Sequence, residues 1–227
     1  MLGIALYSFW MERYRSVTRY GAVSMERKST DEKSGRHPSG AAVMRTDLTH
    51  ALIQAFFEDW AAYGYGGISL ERVATRAGAG KAAIYRRWPS KLALASEAID
   101  DLGLKLTDVS ERGSLLEELE AYLLMMRRAL RHRLVRRILP DLYAEAARES
   151  ELAIALTRLA ASRRTAGTAL IERAIARREL NANVDVEMAL DMIPSALYWR
   201  IIVTKRKISR AQIERQAKAL NAAIKLL

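Results

Sequence analysis

The sequence contains no cysteine, which excludes disulfide bonds, cysteine-ligated zinc fingers and thiol catalysis, and suits a reducing cytoplasm. Its three histidines, His37, His50 and His132, are too widely spaced for a His-x-x-His-type metal site. No apolar run approaches the ~20 residues that a membrane helix requires. No catalytic constellation or cofactor motif is visible. We therefore expect a cytoplasmic protein that needs no cofactor and is not an enzyme.

Half of the 227 residues are hydrophobic, and the formal net charge is +11. A chain of this length and hydrophobic content can form one or two domains with a buried core. A large positive charge favours association with a polyanion, although charge by itself says nothing about the fold. The composition therefore predicts a globular protein with a polyanionic partner.

Residues 68–92, ISLERVATRAGAGKAAIYRRWPSKL, contain six cations and no acid after Glu71. Ser69 is a good N-cap for a short helix whose apolar residues recur at helical spacing. Gly78 suits the left-handed backbone that closes a helix. A second short helix is predicted over residues 80–87, because the residue before Pro89 is disfavoured in a helix. Ser90 then caps the next helix.

Two short helices joined by a tight turn, the second of them basic, fit the major groove of DNA and can read base edges there. The alternative is an ordinary helical hairpin with solvated arginines. The small side chains of the second helix and the absence of acids favour DNA binding.

This stretch and the helix before it resemble the DNA-binding domain of the TetR family of bacterial transcriptional regulators. The resemblance covers residues 45–106, where ALIQAFFEDWAAYGYGGISL is similar to the family's first helix and ERVATRAGAGKAAIYRRWPSKLAL to its helix-turn-helix. Gly80, Ala82 and Asp59 stand where the family commonly has a capping Ser or Thr, a glycine and an apolar residue. The resemblance implies DNA-contacting roles for Thr46, Ser69, Lys81, Ala82, Ala83, Tyr85, Arg86, Arg87 and Lys91.

The resemblance also divides the chain into an extension over residues 1–40, a helix-turn-helix domain over 41–106, and a helical regulatory and dimerisation domain over 107–227. The extension has a short apolar run, LGIALYSFW, without the basic leader of a signal peptide, and a polar segment rich in Ser, Gly and Pro. We expect it to be disordered, or to result from a start codon placed too far upstream, with Met25 or Met44 as later candidates for the start. A basic arm that enters the minor groove is the alternative.

Beyond residue 105 the pattern is helical throughout, so the predicted fold class is all-α. Ser114 and Ser209 each begin a capping box, in which a serine and a Glu or Gln three residues later satisfy free amides of the first turn. Pro140 is expected to open or bend a helix that ends near Arg148. A long helix is predicted over about residues 151–179.

Residues 186–203, VEMALDMIPSALYWRIIV, are apolar around nearly the whole circumference of a predicted helix, which Asp185 caps and Pro194 should kink. Such a helix has to be covered on several sides, by the core or by a second subunit. The TetR resemblance implies a homodimer, and we expect residues 151–179 and 186–203 to form a four-helix bundle between subunits. The predicted interface residues are Met188, Ile193, Leu197, Trp199 and Ile201.

Aromatic and methionine side chains recur on the helices of the regulatory part, where they could line a pocket for a small hydrophobic or aromatic effector. Such residues are more often simply core. The predicted pocket residues are Tyr122, Met125, Met126, Ile138 and Tyr143. Residues 127–137, RRALRHRLVRR, hold six arginines and no acid. We interpret this run as a solvated charged face, with phosphate contact or an anionic effector site as alternatives.

Together these features predict a homodimeric TetR-like repressor that binds a palindromic operator in double-stranded DNA and is released by a small effector. The first alternative is a DNA-binding module without a ligand response, and the second is a helical enzyme.

Overall fold

The computed structural model describes the backbone of residues 40–105, 110–148 and 151–227, and the side chains of residues 47–100, 110–148 and 151–227. Within these ranges the chain forms nine α-helices and no strand, which confirms the predicted all-α fold class. None of these described helices is long and apolar enough to cross a membrane. The predictions for residues 1–39 and for the side chain of Thr46 lie outside the described residues.

Four helices form the N-terminal part of the described chain, which we call the head: α1 (Gly40–Tyr63), α2 (Leu70–Arg76), α3 (Lys81–Tyr85) and α4 (Lys91–Lys105). The turn between α2 and α3 passes through Gly78 at a φ of 68°, a left-handed conformation that favours glycine. α3 is shorter than the predicted 80–87, because the chain leaves the helix before it reaches Pro89.

Serine side chains cap two helices of the head, as predicted. The Ser69 hydroxyl accepts a hydrogen bond from the Arg72 amide at 3.3 Å, and the Ser90 hydroxyl accepts one from the Ala93 amide at 3.1 Å. α3 begins without a side-chain cap, because its N-cap residue is Gly80. The position of α3 therefore depends on tertiary contacts more than on its own start signal.

The core of the head is built around α1. Leu52, Phe56 and Trp60 recur four residues apart and are almost completely buried, so they form one continuous apolar face. Val73 of α2 and Ile84 of α3 are completely buried beside them. Each such side chain stabilises the fold by roughly 1.5–3 kcal/mol when it leaves water. Ile84 is the one buried residue of α3, so it is the anchor that holds this helix to the head.

Five helices follow: α5 (Leu115–Leu130), α6 (Arg133–Ala147), α7 (Leu152–Ala176), α8 (Val186–Tyr198) and α9 (Arg210–Ile224). α8 continues into a single π-helical turn, Trp199–Val203. The capping box at the start of α9 is complete, with Ser209 and Gln212 each bonded to the other's backbone amide. At the start of α5 the Ser114 hydroxyl accepts from the Glu117 amide at 3.3 Å.

The helix that contains Pro140 begins earlier than predicted. α6 starts at Arg133, where Nδ1 of His132 accepts a hydrogen bond from the Leu134 amide at 3.3 Å. Pro140 therefore lies inside α6 and does not open it. As a result, the arginine-rich run 127–137 spans the end of α5, a tight turn and the first turns of α6.

A buried carboxylate ties α5 to α7. Glu118 is completely buried, and its Oε2 accepts hydrogen bonds from Arg173 Nη2 at 2.6 Å and Nε at 3.0 Å. Its Oε1 accepts one from Arg177 Nη1 at 2.9 Å. A buried charge is costly unless it is paired and hydrogen-bonded, and here both carboxylate oxygens have partners.

Candidate DNA-binding surface

The outward face of α3 carries four of the predicted DNA-contacting residues. Lys81, Ala82, Tyr85 and Arg86 are all exposed, and their spacing places them on one side of the helix. Ile84 lies on the opposite side and is completely buried in the head. The surface is basic and free of bulky side chains at Ala82, which suits close approach to the edges of base pairs.

The other two predicted residues of this helix region turn inward. Ala83 and Arg87 are half-buried. The Arg87 guanidinium donates from Nη1 to the Ala83 carbonyl at 2.9 Å and from Nε to Thr49 Oγ1 on α1 at 3.3 Å. Arg87 therefore fastens the end of α3 to α1 in this structure, and its predicted contact with DNA stays a prediction.

Lys91 is also occupied within the head. Its ammonium group donates to the Tyr65 carbonyl at 2.8 Å and lies 4.4 Å from the centroid of the Tyr65 ring. Ser69 uses its hydroxyl as a helix cap and as a donor to Glu71 Oε2 at 3.2 Å. Lys91 and Ser69 thus shape the head in the DNA-free state.

An acid next to the recognition surface was missed by sequence reasoning. Oε1 of Glu71 accepts from the Lys81 ammonium at 2.8 Å and from the Tyr85 hydroxyl at 3.2 Å. The hydrogen bond from Lys81 is the largest cause that lowers the pKa of Glu71 to about 2. Glu71 therefore holds two side chains that would otherwise be free to meet DNA. Nothing in the spacing of residues 71, 81 and 85 indicates this contact, because the turn at Gly78 creates it.

A second acid fixes α2 on α1. Asp59 is completely buried and receives Arg72 in a two-point contact, Nε to Oδ1 at 2.9 Å and Nη2 to Oδ2 at 2.8 Å. The Ser69 amide donates to the same carboxylate at 3.1 Å. Burial by itself would raise the pKa of Asp59, but the hydrogen bonds from Arg72 and Ser69 outweigh it and hold this pKa below its usual value. The unusual acid on α1 is thus the partner of a cation on α2.

One carboxylate of α6 reaches into the head. Oδ2 of Asp141 accepts hydrogen bonds from Trp60 Nε1 at 2.7 Å and from the Tyr65 amide at 2.8 Å. Lys91 of α4 donates a hydrogen bond to the carbonyl of the same Tyr65. The loop after α1 therefore has hydrogen bonds to both α4 and α6.

Comparison with known proteins identifies the family to which this helical arrangement belongs. Residues 52–98 match the family model described as bacterial regulatory proteins of the tetR family, and residues 109–220 match the tetracyclin repressor-like C-terminal domain. The DNA-binding transcriptional repressor TetR of Mycobacteroides abscessus is 32% identical over 140 residues, which are 61% of this chain and 73% of that protein. The chain belongs to the TetR family. It is therefore a DNA-binding transcriptional regulator and not an enzyme.

Two further proteins resemble this TetR-family chain. The HTH-type transcriptional regulator YdeS of Bacillus subtilis is 24% identical over 171 residues, which are 74% of this chain and 86% of that protein. Among solved structures, the flavonoid-responsive regulator FrrA superposes with a TM-score of 0.62 at 21% identity, covering 79% of this chain and 95% of that one. The similarity to FrrA shows a shared fold.

Three of the five residues predicted for the subunit interface of this TetR-family protein lie inside the single chain. Ile193, Leu197 and Ile201 are almost completely buried in its core. The prediction that they present a surface to a second subunit was therefore wrong. The reason is that an all-round apolar helix does not reveal which of its sides faces the core.

The opposite side of α8 forms an exposed apolar strip. Met188 is 50% exposed, Trp199 is 61% exposed and Val203 is 46% exposed. Met192, half-buried, and Ala196, exposed, lie between them, so that the five residues recur at helical spacing. Trp199 also lines a cleft of about 410 Å³ together with Gln212, Arg215 and Gln216 of α9, so the strip continues towards that helix.

The residues predicted to line an effector pocket are found at several depths. Tyr122 and Ile138 are buried in the core, and Met125 and Met126 are half-buried. Tyr143 is 38% exposed, and its ring meets that of Tyr198 edge-on with the centroids 5.8 Å apart. The structure therefore brings α6 and α8 together at an aromatic pair, and the cleft beside α9 is lined by other residues.

Proposed function

We propose that the protein is a homodimeric repressor that leaves its operator when a small hydrophobic or aromatic effector binds. The observation that carries the proposal is the pairing of two features in one chain, the basic face of α3 and the exposed apolar strip on α8. The relative in Mycobacteroides abscessus is named a repressor, which supports the direction of regulation.

The strip supports a dimer because a single chain leaves it in water. Large contiguous apolar surface on a soluble protein marks an interaction site. Because the strip runs into the cleft beside α9, we propose a bundle of α8 and α9 from each subunit, in place of the expected pairing of residues 151–179 with residues 186–203. A symmetric dimer presents two copies of α3 and therefore reads an inverted repeat.

Selection of bound sequences from random DNA tests the symmetric arrangement. The selected sites should contain an inverted repeat whose half-site centres lie about 10–10.5 base pairs, or a multiple of this, apart. A single unrepeated motif bound by one chain would contradict the proposed repressor dimer.

Substitutions on α3 test which side chains meet the DNA. Arg86→Ala should weaken binding to the selected site at least about tenfold and relax the preference at one base position, because a base-reading contact contributes about 1–3 kcal/mol. Lys81→Ala should weaken binding to selected and scrambled DNA alike and reduce the salt dependence by about one unit per contact. Fluorescence anisotropy across a salt series measures both, with Arg112→Ala as a control for loss of one exposed cation. Equal behaviour of all three variants would remove α3 from the interface.

Glu71 should lower the affinity of the protein for DNA. Glu71→Gln removes the anion that holds Lys81 and Tyr85, so affinity for any DNA should rise about two- to fivefold, in line with the modest strength of exposed ion pairs. Glu172→Gln, an exposed acid on α7, is the charge-matched control and should change affinity less. Weaker binding by Glu71→Gln would show that this carboxylate positions α3 for DNA binding, and would contradict the prediction that Glu71 lowers the affinity.

The effector response is proposed to act through α6. This helix carries Tyr143 at the aromatic contact with α8 and Asp141 at the contact with the head. A ligand that displaces the ring of Tyr143 would shift α6 and pull Asp141 away from Trp60. The flavonoid-responsive regulator FrrA has the same fold, which supports a preference for flat aromatic ligands.

The reciprocal effect of operator binding and effector binding on each other's affinity tests the proposed effector response. A ligand that releases DNA has to bind the DNA-free state more tightly, and by reciprocity the operator has to weaken ligand binding by the same factor. Flavonoids and other planar aromatic compounds that raise the melting temperature should therefore bind less tightly by calorimetry when operator is present. Stabilising compounds that bind equally in both conditions, or no stabilising compound at all, would favour a DNA-binding module without a ligand response.

A further inference from the structure

The connection between α8 and α9 has two unusual backbone features side by side. In the π-helical turn the Thr204 amide donates to the Trp199 carbonyl at 2.9 Å, and Lys205 follows with a φ of 55°. Left-handed backbone is uncommon for a residue other than glycine, and π-helical turns occur often at functional sites. Strained backbone of this kind persists where the surrounding structure holds it and is a reason to look for a function.

Two arginine side chains hold this connection in place by donating hydrogen bonds to its backbone carbonyl groups. Arg200 Nε donates to the Lys207 carbonyl at 3.0 Å, and Arg127 Nε, from α5, donates to the Ile208 carbonyl at 2.9 Å. The Arg206 amide donates back to the Arg200 carbonyl at 2.8 Å. The connection is therefore a fixed loop whose charged side chains are presented towards the turn between α5 and α6.

The side chains of this loop and of that turn enclose a cleft of about 140 Å³, which we call the basic cleft. It is lined by Arg131, Arg136, Ile201, Lys205, Arg206 and Lys207. Five of these six residues are cations and none is an acid. In the described part of the chain, none of the five cations is paired with a carboxylate.

Arginines elsewhere in the described chain are often placed beside acids. Arg72 is paired with Asp59, and Arg164 contacts both Glu187 and Asp191. Five cations around one small concavity repel one another, and an anion between them would convert that repulsion into attraction. The cleft is also too small for the several hundred Å³ that a drug-sized apolar ligand usually occupies.

We propose that the basic cleft binds a compact, multiply charged oxyanion, such as a phosphate or pyrophosphate group of a small molecule. The site is distinct from the face of α3 and from the aromatic contact of Tyr143. Guanidinium groups recognise phosphate oxygens in two-point geometry, and the ammonium groups of the loop add charge without fixed direction. A small molecule fits better than a DNA backbone, because the cations surround one concavity and do not follow an extended row of phosphates.

Calorimetry with inorganic pyrophosphate at constant ionic strength tests the site on the full chain. The wild type should bind pyrophosphate more tightly than inorganic phosphate, and the double variant Arg136→Gln/Lys207→Gln should bind pyrophosphate at least about tenfold more weakly. Arg112→Gln removes one cation at the other end of α5, roughly 24 Å away, and should bind as the wild type does. Equal weak binding by the wild type and the double variant, or equal losses in the double variant and in Arg112→Gln, would overturn the proposal.

Lys205→Gly removes both the charge of Lys205 and its backbone strain, and two different measurements report the two effects. Glycine adopts the left-handed conformation freely, so the melting temperature should stay the same or rise, while pyrophosphate binding should weaken several-fold. Unchanged pyrophosphate binding in this variant would overturn the role of the loop.

Titration of the double variant Arg136→Gln/Lys207→Gln with non-specific DNA tests whether the cleft contacts DNA and not a small anion. If the double variant loses about two units of salt dependence for DNA while its pyrophosphate binding is intact, the cleft contacts DNA and the proposal fails.

Discussion

Trp199→Glu should leave the chain folded but monomeric, and should lower operator affinity by about 100-fold or more. Trp199 is 61% exposed, so a charge at this position does not disturb the core of the subunit. In the proposed dimer the same position is covered by the partner, where an unpaired buried charge is strongly unfavourable. A monomer loses the gain that comes from two half-sites bound together.

The chain offers a matched control for this prediction. Ile154 on α7 is 68% exposed and apolar but lies on a different helix from the strip. Ile154→Glu should therefore keep the dimer and its operator affinity. Light scattering that shows a dimer for Trp199→Glu and a monomer for Ile154→Glu would move the interface from α8 to α7, the other of the two helices predicted for the bundle.

A substitution on the inner side of α8 should behave differently. Leu197 is completely buried in the chain, so Leu197→Glu places an unpaired charge in the core and should unfold the subunit. Far-UV circular dichroism separates this result from the folded monomer expected for Trp199→Glu. Both variants should therefore lose DNA binding, Leu197→Glu because the subunit unfolds and Trp199→Glu because the folded subunit no longer forms a dimer.

Glu118→Ala should lower the free energy of unfolding by about 3 kcal/mol, because it leaves Arg173 and Arg177 facing each other without their shared carboxylate. For a chain of this size that corresponds to a fall in melting temperature of roughly 6–12 °C. Differential scanning calorimetry on the full chain measures the change.

Glu117→Ala is the control for this second prediction, because the neighbouring acid is exposed. Its effect should stay within about 0.5 kcal/mol. In the double variant Glu118→Ala/Arg173→Ala the combined loss should be smaller than the sum of the single losses, since both remove the same contact. Additive losses would show that Glu118 and Arg173 do not act through a shared contact, and a Glu118→Ala variant as stable as Glu117→Ala would show that the buried cluster contributes little.

Helix caps and the glycine turn were predicted correctly, because each depends on residues only a few positions apart in the chain. The caps at Ser69, Ser90 and Ser209 form because a side chain and an amide a few residues apart meet in any helix that starts there. Gly78 adopts the left-handed backbone predicted for it. Hence the helical fold class and the helix-turn-helix were both predictable. The sequence left open whether Pro140 opens or bends its helix, because an interior proline and a first-turn proline look alike in sequence, and the structure places Pro140 inside α6.

The sequence by itself determined the helices, the turn before α3, the basic character of its outward face and, through its motifs, membership of the TetR family. Only the tertiary structure decided where individual side chains point. It turned Arg87 onto α1, set Glu71 beside Lys81, and assigned opposite sides of α8 to core and solvent. These outcomes depend on contacts between residues far apart in the chain, or on a choice between two equally apolar faces. Helical periodicity records neither, because it reports which residues share a face and not what covers that face.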